Sequence, residues 1–357
     1  MTTNHNYYID LAFQIAEKNL GQTRLNPSVG TVVVKNDTVI SSAVTSFNGR
    51  PHSEFNALKN LKECAGASLY TTLEPCTHYG ETPPCVNIII KKKIKKVFYA
   101  FEDPDNRTFK KAKKFLTQRN IKTKKITTER YRNFYKSYFI NKKLSIPFIT
   151  GKIAMSSDYL TINKKDKWIT SETSRNIVHL FRNRNGCILS TSKSINYDDS
   201  ILNCRINGLN NNKPDLFIID LKLSLKKKLS LNNHLKIRKT FLITSQKNSS
   251  KTLAYKKLGY KILFINKLEN KKDFIMLYKK IYKMGYSRML VEAGLTFLNS
   301  LIKNKMIHEL YIFKSSKKLG KNGKNNDTPE YLKKINAKLL TINLNDDKLL
   351  KKEFYNV

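Results

Sequence analysis

The stretches LEPCTHYGETPPC at Leu73–Cys85 and PHSE at Pro51–Glu54 decide the fold expected for the first part of this 357-residue chain. They supply one imidazole, from His52, and two thiols, from Cys76 and Cys85. Together with the imidazole, the two cysteines, as thiolates, would occupy three of the four positions of a tetrahedral zinc site. A catalytic zinc keeps its fourth position open for water, whereas a structural zinc is closed by four Cys or His ligands. The pattern therefore predicts one catalytic zinc ion.

Glu54 lies two residues after the histidine ligand, where it can transfer protons without binding the metal. Zinc deaminases use such a glutamate as general acid and base, while the metal activates a hydroxide. The predicted reaction is hydrolytic removal of an exocyclic amino group from a nitrogen heterocycle. Two alternatives stay open on the residues alone: a structural zinc closed by His78, and buried cysteines that bind no metal.

The bulk composition indicates a globular protein with room for two cores, since 40% of its 357 residues are hydrophobic. The formal charge of +40 comes from lysines spread along the chain beside asparagine-rich stretches. Nucleic-acid sites instead concentrate arginine and aromatic residues. We therefore expect no nucleic-acid partner, although a phosphorylated substrate would benefit from the positive field.

No apolar run reaches the length of roughly 18 residues that a membrane-spanning helix needs. Residues 1–10 lack a basic segment followed by an apolar one, so a secretory signal is not expected. The five cysteines show no disulfide spacing and suit a reducing compartment. We expect a cytoplasmic protein with no membrane partner. Whether it forms a homo-oligomer stays open.

Apolar periodicity predicts alternating strands and helices on both sides of a seam near Asn141–Pro147. Single helices between successive strands predict an α/β fold with a mostly parallel sheet, and ligands bind at the strand ends of such sheets. In the N-terminal domain, residues 1–146, we expect strands at Gly30–Val34, Ser68–Leu73 and Lys96–Phe101, and helices at Ile9–Asn19, His52–Leu61, Cys85 onward and Phe109–Asn120. In the C-terminal domain, residues 147–357, we expect strands at Phe148–Met155, Gly186–Leu189, Leu216–Asp220, Thr240–Thr244, Lys261–Ile265, Arg288–Glu292, Leu310–Phe313 and Glu353–Val357, helices at Ser171–Arg184, Lys272–Met284 and Leu295–Asn304, and loops at Asn207–Lys213 and Lys317–Thr328.

The spacing of the two ligand cysteines narrows the substrate class. Eight residues separate them, whereas nucleic-acid deaminases usually have two. The whole first domain resembles the bifunctional deaminase/reductase family of bacterial riboflavin biosynthesis. The motifs that carry this resemblance are Asn26–Gly30, Pro51–Leu58, Thr72–Cys85 and Glu102–Asp105.

This resemblance implies a cytidine-deaminase-like, three-layer α/β domain that uses the zinc ligands and Glu54 in the roles given above. It also implies that Asn26 binds the pyrimidine ring. The implied substrate is 2,5-diamino-6-ribosylamino-4(3H)-pyrimidinone 5′-phosphate, which zinc hydroxide would deaminate. The alternative for Asn26 is that it is a turn residue before Pro27 with no role in binding.

The second domain resembles the reductase half of the same family, which has a dihydrofolate-reductase-like α/β fold and uses NADPH to reduce the ribosyl group to ribityl. The matching motifs are Trp168–Ser171, Asp198–Arg205 and Val291–Gly294. The resemblance implies substrate binding by Asp166, Arg182, Leu202, Arg205 and Glu292. It implies cofactor binding by Lys152, Ala154, Trp168, Ser194, Asp198, Gly294, Leu295 and Thr296.

Independent support for the cofactor site is weak. A helix that begins after Gly294 suits a pyrophosphate, but strand–Gly–helix turns are common. Two departures also weaken the match. The family's Ser-Leu-Asp-Gly-Arg loop is SSDYL at Ser156–Leu160, and its Asp-Ser-x-x-Arg motif keeps only Asp220. The alternatives are therefore a deaminase whose reductase half is degraded, and a nucleic-acid base deaminase or binder.

Overall fold

The computed structural model describes residues 4–209, 213–247, 249–334 and 340–354. The chain divides into two compact units between Ser145 and Ile146. Among the described residues, no helix combines the length and the apolar character needed to cross a bilayer.

The first unit is built on a five-stranded sheet in the order β2-β1-β3-β4-β5. Its strands are β1 Gly30–Lys35, β2 Thr38–Val44, β3 Ser68–Leu73, β4 Lys96–Phe101 and β5 Lys122–Lys125. Its helices are α1 His5–Glu17, α2 Ser53–Leu58, α3 Cys85–Lys91, α4 Lys111–Thr117 and α5 Lys136–Leu144.

Helices cover both faces of this sheet, because its three central strands, β1, β3 and β4, are apolar on both sides. Alternate residues of the central strands enter opposite cores: Val32, Tyr70 and Phe98 on one face, and Val33, Leu69 and Val97 on the other. The first core is closed by α1 and α5, and the second by α2, α3 and α4. The result is the expected three-layer α/β domain.

Gly30 permits the close approach of α1 to the sheet. A Cβ at this position would lie 1.9 Å from the carbonyl oxygen of Ala12 in α1. Side chains cannot occupy that space, so the helix packs directly against the backbone at the start of β1.

The expectation of a mostly parallel sheet is wrong for this unit. Strand β1 pairs antiparallel with both β2 and β3, and only the β3–β4 and β4–β5 pairs are parallel. Strand β2 was not predicted. The pair Asn36-Asp37, with φ of 50° and 57°, makes the tight turn that joins β1 to β2, and such residues are typical of hairpins.

The second unit has a nine-stranded sheet in the order β11-β10-β9-β8-β12-β6-β13-β16-β15, which is parallel from β11 to β13. Its strands are β6 Phe148–Met155, β7 Ile162–Asn163, β8 Cys187–Thr191, β9 Asp215–Ile219, β10 Thr240–Thr244, β11 Lys261–Phe264, β12 Arg288–Glu292, β13 Glu309–Ser315, β14 Gly323–Lys324, β15 Leu340–Leu344 and β16 Asp347–Glu353. Its helices are α6 Glu172–Asn183, α7 Ser192–Asp198, α8 Ser250–Lys257, α9 Lys271–Lys283, α10 Leu295–Lys303 and α11 Glu330–Lys334.

Three expectations for this unit need correction or lie outside the described residues. The last strand is Asp347–Glu353, in a hairpin with β15, so it ends where the predicted strand Glu353–Val357 begins; residues 355–357 lie outside the description. The predicted loop Lys317–Thr328 contains β14, which pairs with β7. Residues 210–212 of the predicted loop Asn207–Lys213 are also outside the description.

The β15–β16 hairpin is attached to the start of α6 through the buried carboxylate of Asp347. This carboxylate accepts hydrogen bonds from the backbone N–H and hydroxyl of Ser171 and from the hydroxyl of Ser174. Burial by itself would raise the pKa of Asp347, but the hydrogen bonds from Ser174 and Ser171 hold it below its ordinary value.

Replacing Asp347 by alanine should lower the free energy of unfolding of the second unit by about 1.5–3 kcal/mol at neutral pH, because a charged acceptor is lost. The stabilisation is fully present above the unfolded-state pKa of about 3.9 and is lost as the pH falls through the lower folded-state pKa. Urea unfolding followed by fluorescence of Trp168, the chain's one tryptophan, measures it. The exposed neighbour Asp346, replaced by alanine, is the control; equal losses in both variants would contradict the assignment.

Candidate active sites

The three predicted zinc ligands meet at one point of the first unit. His52 directly precedes α2, Cys76 follows β3 and Cys85 begins α3. Nδ1 of His52 lies 3.6 Å from Sγ of Cys76 and 3.4 Å from Sγ of Cys85. Zinc–ligand bonds of about 2.0–2.3 Å in a tetrahedron place two ligand atoms about 3.5 Å apart. The three side chains therefore fit a zinc ion.

The histidine ring presents one nitrogen to this site. Nδ1 of His52 faces the two sulfur atoms, whereas Nε2 is buried with no hydrogen-bond partner among the described residues. Nδ1 is therefore the atom available to the metal.

The thiol groups of Cys76 and Cys85 share a hydrogen bond that shifts their pKa values in opposite directions. A hydrogen bond from Cys85 lowers the pKa of Cys76, against the effect of burial, and His52 lowers it further. The same contact with Cys76 raises the pKa of Cys85, as does burial. The backbone N–H of Cys85, at the start of α3, also donates to Sγ of Cys76 at 3.2 Å. Cys76 is thus the first of the pair to ionise, and a metal ion would favour the thiolate form of both.

Glu54 lies in the first turn of α2 with only 4% of its surface exposed. Burial raises the pKa of its carboxyl group, and the nearby Cys76 adds to this effect. Its Oε2 accepts a hydrogen bond of 3.1 Å from the hydroxyl of Ser53. A buried carboxyl group that holds a proton more readily than usual is suited to general acid–base chemistry.

His78 is not one of the side chains that meet at the metal site. Its Nδ1 lies 3.0 Å from the hydroxyl of Thr108. Among the described residues, the one cluster able to hold a metal consists of His52, Cys76 and Cys85. Three protein ligands leave a coordination position for water, which favours catalytic over structural zinc.

The loop between the two cysteines is held against the segment that carries the histidine ligand. Arg50 donates a hydrogen bond of 2.7 Å to the hydroxyl of Thr82 and forms an ion pair of 3.0 Å with Glu81. Asn26 donates from its side chain to the carbonyl oxygen of Gly49, three residues before His52, at 3.1 Å. Asn26 therefore lies next to the segment that enters the metal site.

A second cluster lies at the carboxyl end of β12 in the second unit. Lys152 of β6 is directly opposite Glu292 of β12 in the parallel pair. Both carboxylate oxygens of Glu292 accept from Arg182, at 2.6 and 2.9 Å. Burial by itself would raise the pKa of Glu292, but Arg182 lowers it. Burial lowers the pKa of Lys152, which Glu292 partly offsets.

The carbonyl oxygen of Asn203 joins further residues to this cluster. It accepts from Nη1 of Arg182 at 2.9 Å and lies 3.0 Å from Nδ1 of His179. Arg205 donates to the side-chain oxygen of Asn203 at 2.8 Å. Leu202, which directly precedes Asn203, is buried and has a φ of 54°. Four of the five predicted substrate-binding residues of this unit, namely Arg182, Leu202, Arg205 and Glu292, are thus brought together.

Comparison with known proteins decides the family. Residues 147–350 match the model of the RibD C-terminal domain, and residues 2–101 match the cytidine and deoxycytidylate deaminase zinc-binding region. The riboflavin biosynthesis proteins RibD of Buchnera aphidicola and of Aquifex aeolicus are each 32% identical, over 88% of this chain and 87% of the relative. The chain belongs to the RibD family. A solved RibD structure from Acinetobacter baumannii covers 97% of this chain and 98% of its own, with 26% identity and a TM-score of 0.83.

RibD proteins combine a zinc-dependent deaminase with an NADPH-dependent reductase, and both domains are present here. The family assignment confirms the predicted fold class, the bifunctional enzyme and the two cofactors. It overrides the alternatives of a nucleic-acid deaminase and of a structural zinc protein.

Four of the predicted cofactor residues of the RibD reductase domain lie at the starts of two helices: Ser194, Gly294, Leu295 and Thr296. Gly294 caps α10, whose first residues are Leu295 and Thr296. The backbone N–H of Gly294 donates to the hydroxyl of Ser194, which lies in the first turn of α7, at 3.0 Å. The hydroxyl of Thr296 donates to the carbonyl oxygen of Asn326.

Other predicted residues of this RibD domain lie nearer its surface. Trp168 is 46% exposed, and the guanidinium of Arg175 lies 4.7 Å from the centre of its ring. The backbone N–H of Trp168 donates to the carboxylate of Asp166, and the Asp166 side chain is exposed. Asp198 ends α7 and Ala154 lies in β6. No hydrogen bond links Asp166 to the cluster around Asn203 among the described residues.

The altered RibD loop holds Tyr159 in a backbone conformation that favours glycine. Tyr159 stands at the family's Gly position with a φ of 64°, which is unusual for a bulky residue. The carboxylate of Asp158 fixes the loop by accepting from the backbone N–H groups of Leu319 and Gly320. The ammonium of Lys314 lies 4.3 Å from the centre of the Tyr159 ring. The loop is therefore ordered despite the loss of its glycine.

Sequence reasoning missed two groups of residues beside these sites. His179 contacts Asn203, and burial together with Arg182 and Arg205 lowers its pKa to about 4. The sequence could have indicated this, because His179 lies three residues before Arg182 on one helix and therefore on the same face of it. Ser53 lies inside the His-x-Glu motif, but nothing in the sequence connects it with its partner Thr31.

Proposed function

We propose that this chain deaminates 2,5-diamino-6-ribosylamino-4(3H)-pyrimidinone 5′-phosphate with His52, Cys76 and Cys85 as zinc ligands and Glu54 as general acid and base. The convergence of three ligand atoms beside a buried glutamate supports the proposal. Zinc bound there would act as a Lewis acid that activates a water molecule. The Glu54 carboxylate would take the proton of that water and pass protons to the ring nitrogen and the departing ammonia. Asn26 would orient the pyrimidine ring.

For the reductase step, we infer that residues 147–357 bind NADPH and the deaminated intermediate at the carboxyl end of β6 and β12. NADPH supplies a hydride to C1′ of the ribosyl group. The backbone N–H groups at the start of α10, from Gly294 to Thr296, suit its pyrophosphate. Lys152, Ala154, Trp168, Ser194 and Asp198 would complete the cofactor site.

The positive cluster around Asn203 would hold the phosphorylated sugar. Arg205 and Arg182 carry delocalised charge suited to phosphate and ribose oxygens. Because Arg182 is fully engaged by Glu292 and Asn203, we assign it to orienting Glu292 towards the sugar. Leu202 would lie beside the bound sugar, and Asp166 would contribute from the surface.

We also propose that residues 1–146 act as the deaminase and that the protein works in the cytoplasm. The absence of disulfides among its five cysteines supports a reducing compartment.

An assay of both steps on one purified protein tests the function. We expect ammonia release from the diaminopyrimidine phosphate without NADPH, and NADPH oxidation once the deaminated intermediate is present. Ammonia release without any NADPH oxidation would favour the deaminase-only alternative, in which the Tyr159 loop no longer supports reduction. Failure of both steps with zinc-loaded protein would contradict the proposed function.

A further inference from the structure

The buried hydroxyl groups of Thr31 and Ser53 form a continuous line that ends at Glu54, and the hydroxyl of Thr71 lies beside it. The hydroxyl of Thr71 on β3 lies 3.3 Å from that of Thr31 on β1. The Thr31 hydroxyl lies 2.7 Å from that of Ser53, at the start of α2. The Ser53 hydroxyl lies 3.1 Å from Oε2 of Glu54. Thr31, Ser53 and Thr71 are each 0% exposed, so water does not compete for these contacts.

The Glu54 carboxylate at the end of this line fixes which hydroxyl group donates each hydrogen bond. An ionised carboxylate only accepts hydrogen bonds, and each hydroxyl carries a single proton. Ser53 must therefore donate to Glu54, which obliges Thr31 to donate to Ser53. Thr71 is oriented to accept from Thr31 rather than to donate to it, so Thr71 does not belong to the line. Hydrogen bonds that point the same way polarise and strengthen one another in a buried setting.

We propose that Thr31 and Ser53 are positioning residues that hold the Glu54 carboxylate in one orientation for proton transfer. The proposal deepens the proposed deaminase function and rests on the role of Glu54 in it. A carboxylate with one oxygen held by Ser53 keeps the other oxygen for the reacting groups. Without that hydrogen bond, Glu54 can rotate about its side-chain bonds and spends less time in the reactive geometry.

Substitutions along the line separate orientation from folding. Ser53→Ala removes the donor to Glu54, and Thr31→Val removes the next hydroxyl with little change of shape. Thr31→Ser restores that hydroxyl and serves as the conservative variant. Ser41→Ala is the matched control, because the Ser41 hydroxyl contacts the carbonyl oxygen of Ala57 at the other end of the same helix.

We expect Ser53→Ala to lower kcat for ammonia release by about tenfold with an unchanged KM, the size expected for a lost hydrogen bond to a charged group. Thr31→Val should lower kcat by about fivefold, because the hydrogen bond it removes joins two neutral hydroxyl groups. Thr31→Ser and Ser41→Ala should behave as the wild type. Zinc content and zinc affinity in competition with a chelator should stay unchanged in all four variants. Crystal structures of zinc-loaded Ser53→Ala should show the Glu54 carboxylate in more than one position.

Three outcomes would overturn the proposal. Wild-type turnover in Ser53→Ala and Thr31→Val, with Glu54→Gln inactive, would remove the positioning role and leave the role of Glu54 intact. Loss of zinc or a common loss in Thr31→Ser and Thr31→Val would indicate a structural role. Full activity of Glu54→Gln would refute the proposed role of Glu54 in deamination. The hydroxyl groups would then have no catalytic group to position.

Discussion

Replacing Glu54 by glutamine should lower the rate of ammonia release by about 10²–10⁴-fold, the usual contribution of a general acid–base group. Glutamine has nearly the same shape and still accepts a hydrogen bond from Ser53, but it cannot take up a proton from water. Its amide also lies outside the set of three metal-binding side chains, so one zinc ion per chain should be retained.

Steady-state ammonia release and metal analysis on the same preparation measure this effect. Glu63→Gln is the control, because Glu63 is an exposed glutamate of the same unit. NADPH oxidation with the deaminated intermediate should be unaffected, and chelator-treated wild type gives the rate without metal. Turnover close to that of the wild type in zinc-loaded Glu54→Gln would rule out the assigned role.

Replacing Arg182 by methionine should abolish NADPH oxidation and destabilise the second unit by about 3–5 kcal/mol, because it leaves a buried carboxylate without its partner. Arg182 is 9% exposed, and Glu292 accepts two of its hydrogen bonds. The carbonyl oxygen of Asn203 would lose a donor in the same variant. The substitution therefore removes the group that joins α6, the segment before Arg205 and the end of β12.

Urea unfolding followed by Trp168 fluorescence reports on the unit that contains the substitution, and ammonia release reports on the other. Arg184→Met is the control, since Arg184 directly follows the same helix with an exposed side chain. The double variant Arg182→Met/Glu292→Gln should recover part of the stability but none of the reduction. If Arg182→Met unfolds like the control and still oxidises NADPH, the ion pair has neither role.

Local sequence correctly placed the candidate metal ligands relative to the helices, because their pattern depends on residue types at short spacing. His52 and Glu54 were placed at a helix start, and Cys85 at the start of the next helix, as observed. The hairpin strand β2 was missed, since its half-exposed residues lack the continuous apolar pattern of β1. Tyr159 illustrates the opposite case: the sequence there suggests a damaged loop, whereas the φ of 64° shows that Tyr159 adopts the left-handed conformation that favours glycine.

The amino-acid sequence by itself determined the zinc chemistry, the family and the presence of two α/β domains, since each depends on motifs written within short segments. Only the tertiary structure decided which distant side chains touch. Thr31 reaches Ser53, and Arg182 pairs with a glutamate 110 residues away. Such contacts follow from strand order and helix packing, which bring segments together irrespective of their separation along the chain. The motif at Pro51–Glu54 predicts the reaction, whereas the fold brings the hydroxyl groups next to Glu54.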